Sequence, residues 1–118
     1  MATQTFRELL VWQKAHEFVL AVYYYTSSFP KTELYAVTQF KTAAISIAAN
    51  IAEGYKKKGK ADKARLMNIP QGSIEECQYY LILASDLGYG ETSLLGNLLD
   101  EISRMLQSYI SKILSSNS

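Results

Sequence analysis

Cysteine and histidine are almost missing from this sequence, with Cys77 and His16 the only examples. A lone thiol closes no internal disulfide, so a reducing, cytoplasmic setting is expected. His16 has no metal partner at helical spacing, and the chain contains no Glu-x-x-His pair, which excludes the di-iron chemistry of carboxylate bundles. Proline is rare (Pro30 and Pro70) and there are six glycines, a pattern that favours long uninterrupted elements over many short strands. No apolar run approaches the roughly 20 residues of a membrane span. The opening Met-Ala-Thr-Gln-Thr lacks the basic and then apolar layout of a signal peptide. Net charge is only +1, so there is no global excess of either sign to announce a partner.

What is present is a globular composition: 48% hydrophobic and 19% charged residues over 118 positions, enough for one domain with a real core. Four segments carry apolar residues at 3-4 spacing, which predicts helices packed on a common seam. The first reads Trp12, Ala15, Val19, Val22, Thr26, Phe29, opened by a Thr5/Glu8 capping box and closed before Pro30. The second reads Leu34, Val37, Lys41, Ala44, Ala48, Ile51, Tyr55, with Thr32 as its N-cap and Gly54 near its end. The third reads Met67, Pro70, Ile74, Cys77, Leu81, Ala84, with Asp62 as N-cap and Gly88 or Gly90 as stop. The fourth reads Leu95, Leu98, Ile102, Met105, Tyr109, capped by Thr92 or Ser93. Short loops make successive helices antiparallel. The expectation is a single all-α domain over 1–118, an antiparallel up-and-down four-helix bundle with helices at roughly 6–28, 33–56, 62–87 and 93–114. A helix-interior proline costs about 3 kcal/mol, and Gly72 follows it, so a kink or break is expected near Pro70, unless a helix boundary falls there instead.

Charge is unevenly placed along the chain. Residues 56–65 hold Lys56, Lys57, Lys58, Lys60, Lys63 and Arg65 against Asp62, half of all the basic side chains. Such a cluster binds phosphate backbones through counterion release, and Tyr55 beside it offers a ring for an exposed base. The alternative is a solvated loop whose lysines serve solubility. A polar stripe on the second helix, Gln39, Thr42, Ser46, Asn50 and Glu53, faces a shorter one on the third, Ser73 and Glu76. Interhelical hydrogen bonds would satisfy it and fix register, with a small polar ligand site as the alternative. On the first helix Val11, Phe18 and Tyr25 form a second apolar row beside the seam. One bundle does not easily bury both rows, so this row is expected at an oligomer interface; the other reading is a wide core stripe. The Tyr23–Tyr25 run spans about 200° of helix, so at least one ring is exposed.

Inventory argues against catalysis. Cys77 sits on a core seam with no activating base at matching spacing, and residues 54–59 do not match a phosphate-cradling loop. No cofactor, metal or small-molecule substrate is expected.

Three stretches together carry a resemblance: Val11–Ala15, Gln39–Gly54 with its Ala-Asn-Ile-Ala-Glu-Gly ending, and Asn68–Glu76 with Gly-Ser-Ile-Glu-Glu. The chain resembles, over roughly residues 6–114, the family of four-helix-bundle proteins encoded in intervening sequences of 23S ribosomal RNA. That family includes the accessory variability determinant of diversity-generating retroelements. The resemblance implies a four-helix bundle in a ring-shaped homopentamer. For the retroelement relatives it also implies a basic surface for nucleic acid and a reverse transcriptase partner. This chain departs where Lys41 is followed by Thr42 rather than a second basic residue, where Pro70 replaces a usual alanine, and in its near-neutral charge. It is therefore similar to the intervening-sequence type and not to the retroelement type. The function expected is a non-enzymatic homo-oligomer that binds RNA or DNA through the 56–65 cluster; a scaffold for another protein, indifferent to nucleic acid, is the alternative.

Overall fold

The computed structural model describes residues 5–115; the first four residues and the tail after Ser115, including most of the Ser-rich end, lie outside the described residues. Four helices follow in order: α1 (Leu10–Thr26), α2 (Leu34–Tyr55), α3 (Lys60–Asp86) and α4 (Ser93–Ser115), with 3-10 turns at Phe6–Glu8 and Lys31–Glu33. Each helix packs on its sequence neighbours and α1 closes the ring against α4, giving the all-α antiparallel bundle. The molecule is a rod of 50 × 22 × 21 Å with a radius of gyration of 15.2 Å. A sphere-like chain of this length would give about 13.5 Å, so the two ends of the bundle are well separated in space.

The helix boundaries show which local signals won. The Thr5/Glu8 capping box forms, but around the 3-10 turn Phe6–Glu8, because extended Leu9 interrupts the chain before α1 starts. Leu9 turns inward against the core. Thr32 caps nothing: it lies within the second 3-10 turn, and α2 starts at Leu34 without a side-chain cap. Gly54 lies inside α2 and serves a different purpose from a stop. It marks a close approach of α2 to α3, where a Cβ would stand 3.1 Å from Met67 Cε and 3.2 Å from Leu66 Cβ. Helix α3 begins after Gly59, which leaves Asp62 in its first turn, where a carboxylate favours the helix dipole. At its other end Gly88 adopts φ +75°. The Gly88 amide donates to Ser85 O and the Tyr89 amide to Ala84 O, the two bonds of a Schellman stop. Glu91 caps α4: its Oε1 accepts from the Thr92 and Ser93 amides and the Ser93 hydroxyl.

Helix α3 runs through Pro70 without interruption, so the expected break does not occur. The proline ring is fully buried, and its packing offsets the amide hydrogen bond it removes.

The core is built from Phe18, Val22, Ile47, Ile51, Met67, Ile74, Cys77, Leu99, Ile102 and Leu106, each less than 2% exposed. Burying one such side chain contributes about 1.5–3 kcal/mol. The row Val11, Phe18, Tyr25 belongs to this interior, which corrects its assignment to an oligomer interface. Val11 is 5% and Phe18 0% exposed, and Tyr25 is half-buried, its hydroxyl donating to Gly90 O at 3.3 Å. Helix α1 sits at a corner of the bundle and packs against both α2 and α4, so it buries two rows at once. Its exposed side carries Leu20, Tyr23 and Tyr24 instead.

Candidate nucleic-acid interface

The antiparallel fold brings the end of α2, the start of α3, the start of α1 and the end of α4 to one end of the rod. The lysine loop that joins α2 to α3 crosses this end. Lys56 and Lys58 are exposed and Lys57 is half-buried, and none of the three forms an ion pair among the described residues. Lys60 is half-buried at the first position of α3.

The other members of the cluster are committed locally. The Lys63 ammonium donates to Tyr55 O at 3.0 Å, satisfying a carbonyl that α2 leaves open as it ends. It also lies 5.2 Å from the centre of the Tyr55 ring. Tyr55 is itself half-buried against the core, so its ring is engaged on one face and is not the free stacking platform its position suggests. Arg65 pairs with Asp62 at 3.2 Å in an exposed i,i+3 bridge. The cluster thus divides into Lys56, Lys57 and Lys58, which form no ion pair among the described residues, and Tyr55, Lys63 and Arg65, which are engaged locally.

The same end gathers basic residues that lie far from the cluster in sequence. Arg7 precedes α1, and Arg104 and Lys112 lie on the second half of α4. Dividing each helix at its middle, the half with residues 5–18, 45–73 and 104–115 holds ten of the twelve basic side chains and four of the eleven acids, a balance of +6. The other half carries −5. A chain that is nearly neutral overall is strongly polarised along its axis. Charge summed segment by segment hides this. Charge summed by helix ends, with the antiparallel order already predicted, would have found Arg7, Arg104 and Lys112.

The polar stripe resolves into parts. Ser73 Oγ donates to Ser46 Oγ at 2.9 Å across the α2–α3 contact, and Asn50 Nδ2 donates to Ser46 O at 2.8 Å and to Ser46 Oγ at 3.1 Å. Glu76 accepts from the Tyr80 hydroxyl at 3.1 Å on α3 itself. Thr42 donates back to Thr38 O, Gln39 is half-buried and Glu53 is exposed, so these three stand apart from the serine pair. Among the described residues, no buried side-chain polar atom is left without a partner.

Cys77 is fully enclosed, and burial, followed by the Glu76 carboxylate, pushes its thiol up to about 12. At neutral pH it is a protonated core residue. Among the described residues, no three His, Cys, Asp or Glu side chains come together as a metal site, and no helix is long and apolar enough to cross a membrane.

A family model described as 23S rRNA-intervening sequence protein matches residues 7–108, spanning all of α1, α2 and α3 and most of α4. No curated protein matches the chain.

Proposed function

The chain belongs to the 23S rRNA-intervening sequence protein family, and from that premise we propose that it is a non-enzymatic, homo-oligomeric bundle whose basic end binds the phosphate backbone of RNA or DNA. The observation that carries the reading is the axial charge separation, +6 against −5. Phosphates approaching the lysine loop meet Lys56, Lys57 and Lys58 with Arg7, Arg104 and Lys112 at the same end, while the acidic half repels them from the other. Three loop lysines give weak binding alone. A ring of copies, as the resemblance implies, would present the patch several times over if their basic ends face the same side, and avidity would raise the affinity without new contacts.

Self-association is assigned to the apolar residues the bundle leaves outside. Leu20 is 58%, Tyr24 84% and Leu94 83% exposed. Tyr24 and Leu94 line one groove between α1 and α4, with Leu20 one turn before Tyr24. Such a patch of large apolar side chains suits a partner surface, and it lies in the acidic half, clear of the lysine loop.

The test is fluorescence anisotropy of labelled RNA and duplex DNA against assembled protein at low and high salt. Binding should weaken with salt and be lost when Lys56, Lys57 and Lys58 are changed to Glu. Absence of salt-sensitive binding at low salt would discard this reading. The protein-scaffold reading would then stand alone.

A further inference from the structure

A groove of about 440 Å³ opens between the start of α1 and the last turns of α4. Its size falls within the roughly 300–1,000 Å³ typical of small-ligand sites. The floor is apolar, made by Leu9, Leu10, Val11 and Met105 with the ring of Tyr109. Leu10 is 57% exposed there, an apolar side chain left without cover. Arg104 and Lys112 stand in the wall, and neither forms an ion pair among the described residues. Glu101, one turn before Arg104, is bridged to Lys14 at 3.8 Å. An apolar floor beside two uncompensated cations matches a ligand with a flat apolar part and an anionic part.

The position of the groove narrows the choice. It opens at the basic end of the rod, between α1 and α4, across that end from the lysine loop that joins α2 to α3. We propose that the groove takes one unstacked nucleotide of a single-stranded RNA, and this rests on the nucleic-acid reading above. The base lies on Leu9, Met105 and Tyr109, its phosphate sits on Arg104 and Lys112, and the strand continues to Lys56, Lys57 and Lys58. A base in a duplex is paired and stacked and does not enter such a groove, so the site selects single strands. An acidic peptide would satisfy the cations but leave the apolar floor uncovered.

The experiment uses the full chain and a labelled oligoadenylate of about ten nucleotides, long enough to cross the bundle end at roughly 3.4 Å per step. A duplex of the same length runs in parallel. Ser108 is exposed and lines the groove, so Ser108→Trp fills it without changing charge. Arg104→Ala removes the guanidinium. Ser108→Trp should weaken oligoadenylate binding about fivefold or more, the least that one stacked base contributes, with duplex binding unchanged, and Arg104→Ala should weaken oligoadenylate binding more than duplex binding. Changing Lys56, Lys57 and Lys58 to Gln should weaken both. Oligoadenylate binding untouched by Ser108→Trp and Arg104→Ala, in variants that melt like the parent, would overturn the groove assignment while leaving the lysine end intact. Displacement of oligoadenylate by polyglutamate at equal charge concentration would overturn it too, by showing a generic anion site. If neither probe binds the parent protein, the nucleic-acid reading fails first and the groove assignment with it.

Discussion

The Lys63 ammonium closes the end of α2 by donating to the Tyr55 carbonyl at 3.0 Å, while lying 5.2 Å from the centre of that residue's ring. One lysine of the cluster therefore holds the fold, whereas Lys56, Lys57 and Lys58 make no such contact among the described residues. The two roles separate by measurement. Lys63→Met should lower stability by about 1 kcal/mol, the scale of one partly exposed charge-assisted bond with a cation–π contact. That corresponds to a fall in Tm of about 4–5 °C. Changing Lys56, Lys57 and Lys58 to Gln should leave Tm where it is. The same triple change should flatten the salt dependence of RNA binding by about two units of slope per subunit, at about 0.7 for each phosphate no longer neutralised. If Lys63→Met flattens the slope as much as a loop lysine does, the division is wrong.

Two helical glycines make a paired test of packing against propensity. Gly54 is buried where α2 meets α3, and a Cβ there would sit 3.2 Å from Leu66 Cβ, an atom fixed close to the α3 backbone. Gly54→Val should destabilise by about 1–3 kcal/mol through overpacking. Gly72 is exposed on α3, and a Cβ there meets nothing within 4 Å. Gly72→Ala should stabilise by about 0.8–1 kcal/mol, the propensity difference alone. Urea unfolding of both variants checks the pair, and like signs would contradict the packing described.

The helices and their antiparallel order were legible in the sequence because 3-4 apolar spacing and short polar connections are local signals. Pro70 does not break α3, because the helix-breaking rule is local too, while the burial that offsets it depends on α3 being packed between α2 and α4. The same limit explains Val11 and Phe18. Two adjacent apolar rows look like one too many for a helix with a single partner, and only the corner position of α1 between α2 and α4 gives both a place. At the basic end, the contiguous lysines could be read directly. Arg104 and Lys112 could not, since a cation joins a patch by proximity in space and their own segment is net acidic.

Glu91 links the start of α4 to pH. Its carboxylate lies below the ordinary range, first because it accepts from the Ser93 hydroxyl, then because it accepts from the Ser93 and Thr92 amides. A carboxyl with a depressed folded-state pKa contributes stability that is present above its unfolded value of 4.5 and lost as pH falls through the folded value. Tm measured from neutral pH downward should therefore decline less steeply in Glu91→Gln than in the parent over this acidic window, from a lower Tm at neutral pH. Parallel acid limbs would show that the cap carries no linkage.

The Ser46–Ser73 bond is the one described side-chain hydrogen bond from the polar stripe that joins α2 to α3, and it distinguishes a register device from a ligand site. Ser46 Oγ accepts from Ser73 at 2.9 Å and from Asn50 at 3.1 Å, so both of its acceptor positions are filled from within the protein. A group so occupied has its proton alone left to offer, and a ligand would have to displace an existing bond. If the pair fixes register, Ser46→Ala and Ser73→Ala should each cost about 0.5–1.5 kcal/mol, and the double variant should cost less than their sum. The non-additivity should be about 0.5 kcal/mol or more, and the effect should be independent of any added solute. Additive single effects would mean that the two hydroxyls do not act as a pair. Asn50, which also reaches the Ser46 carbonyl at 2.8 Å, would then be the residue that holds this part of α2 in order.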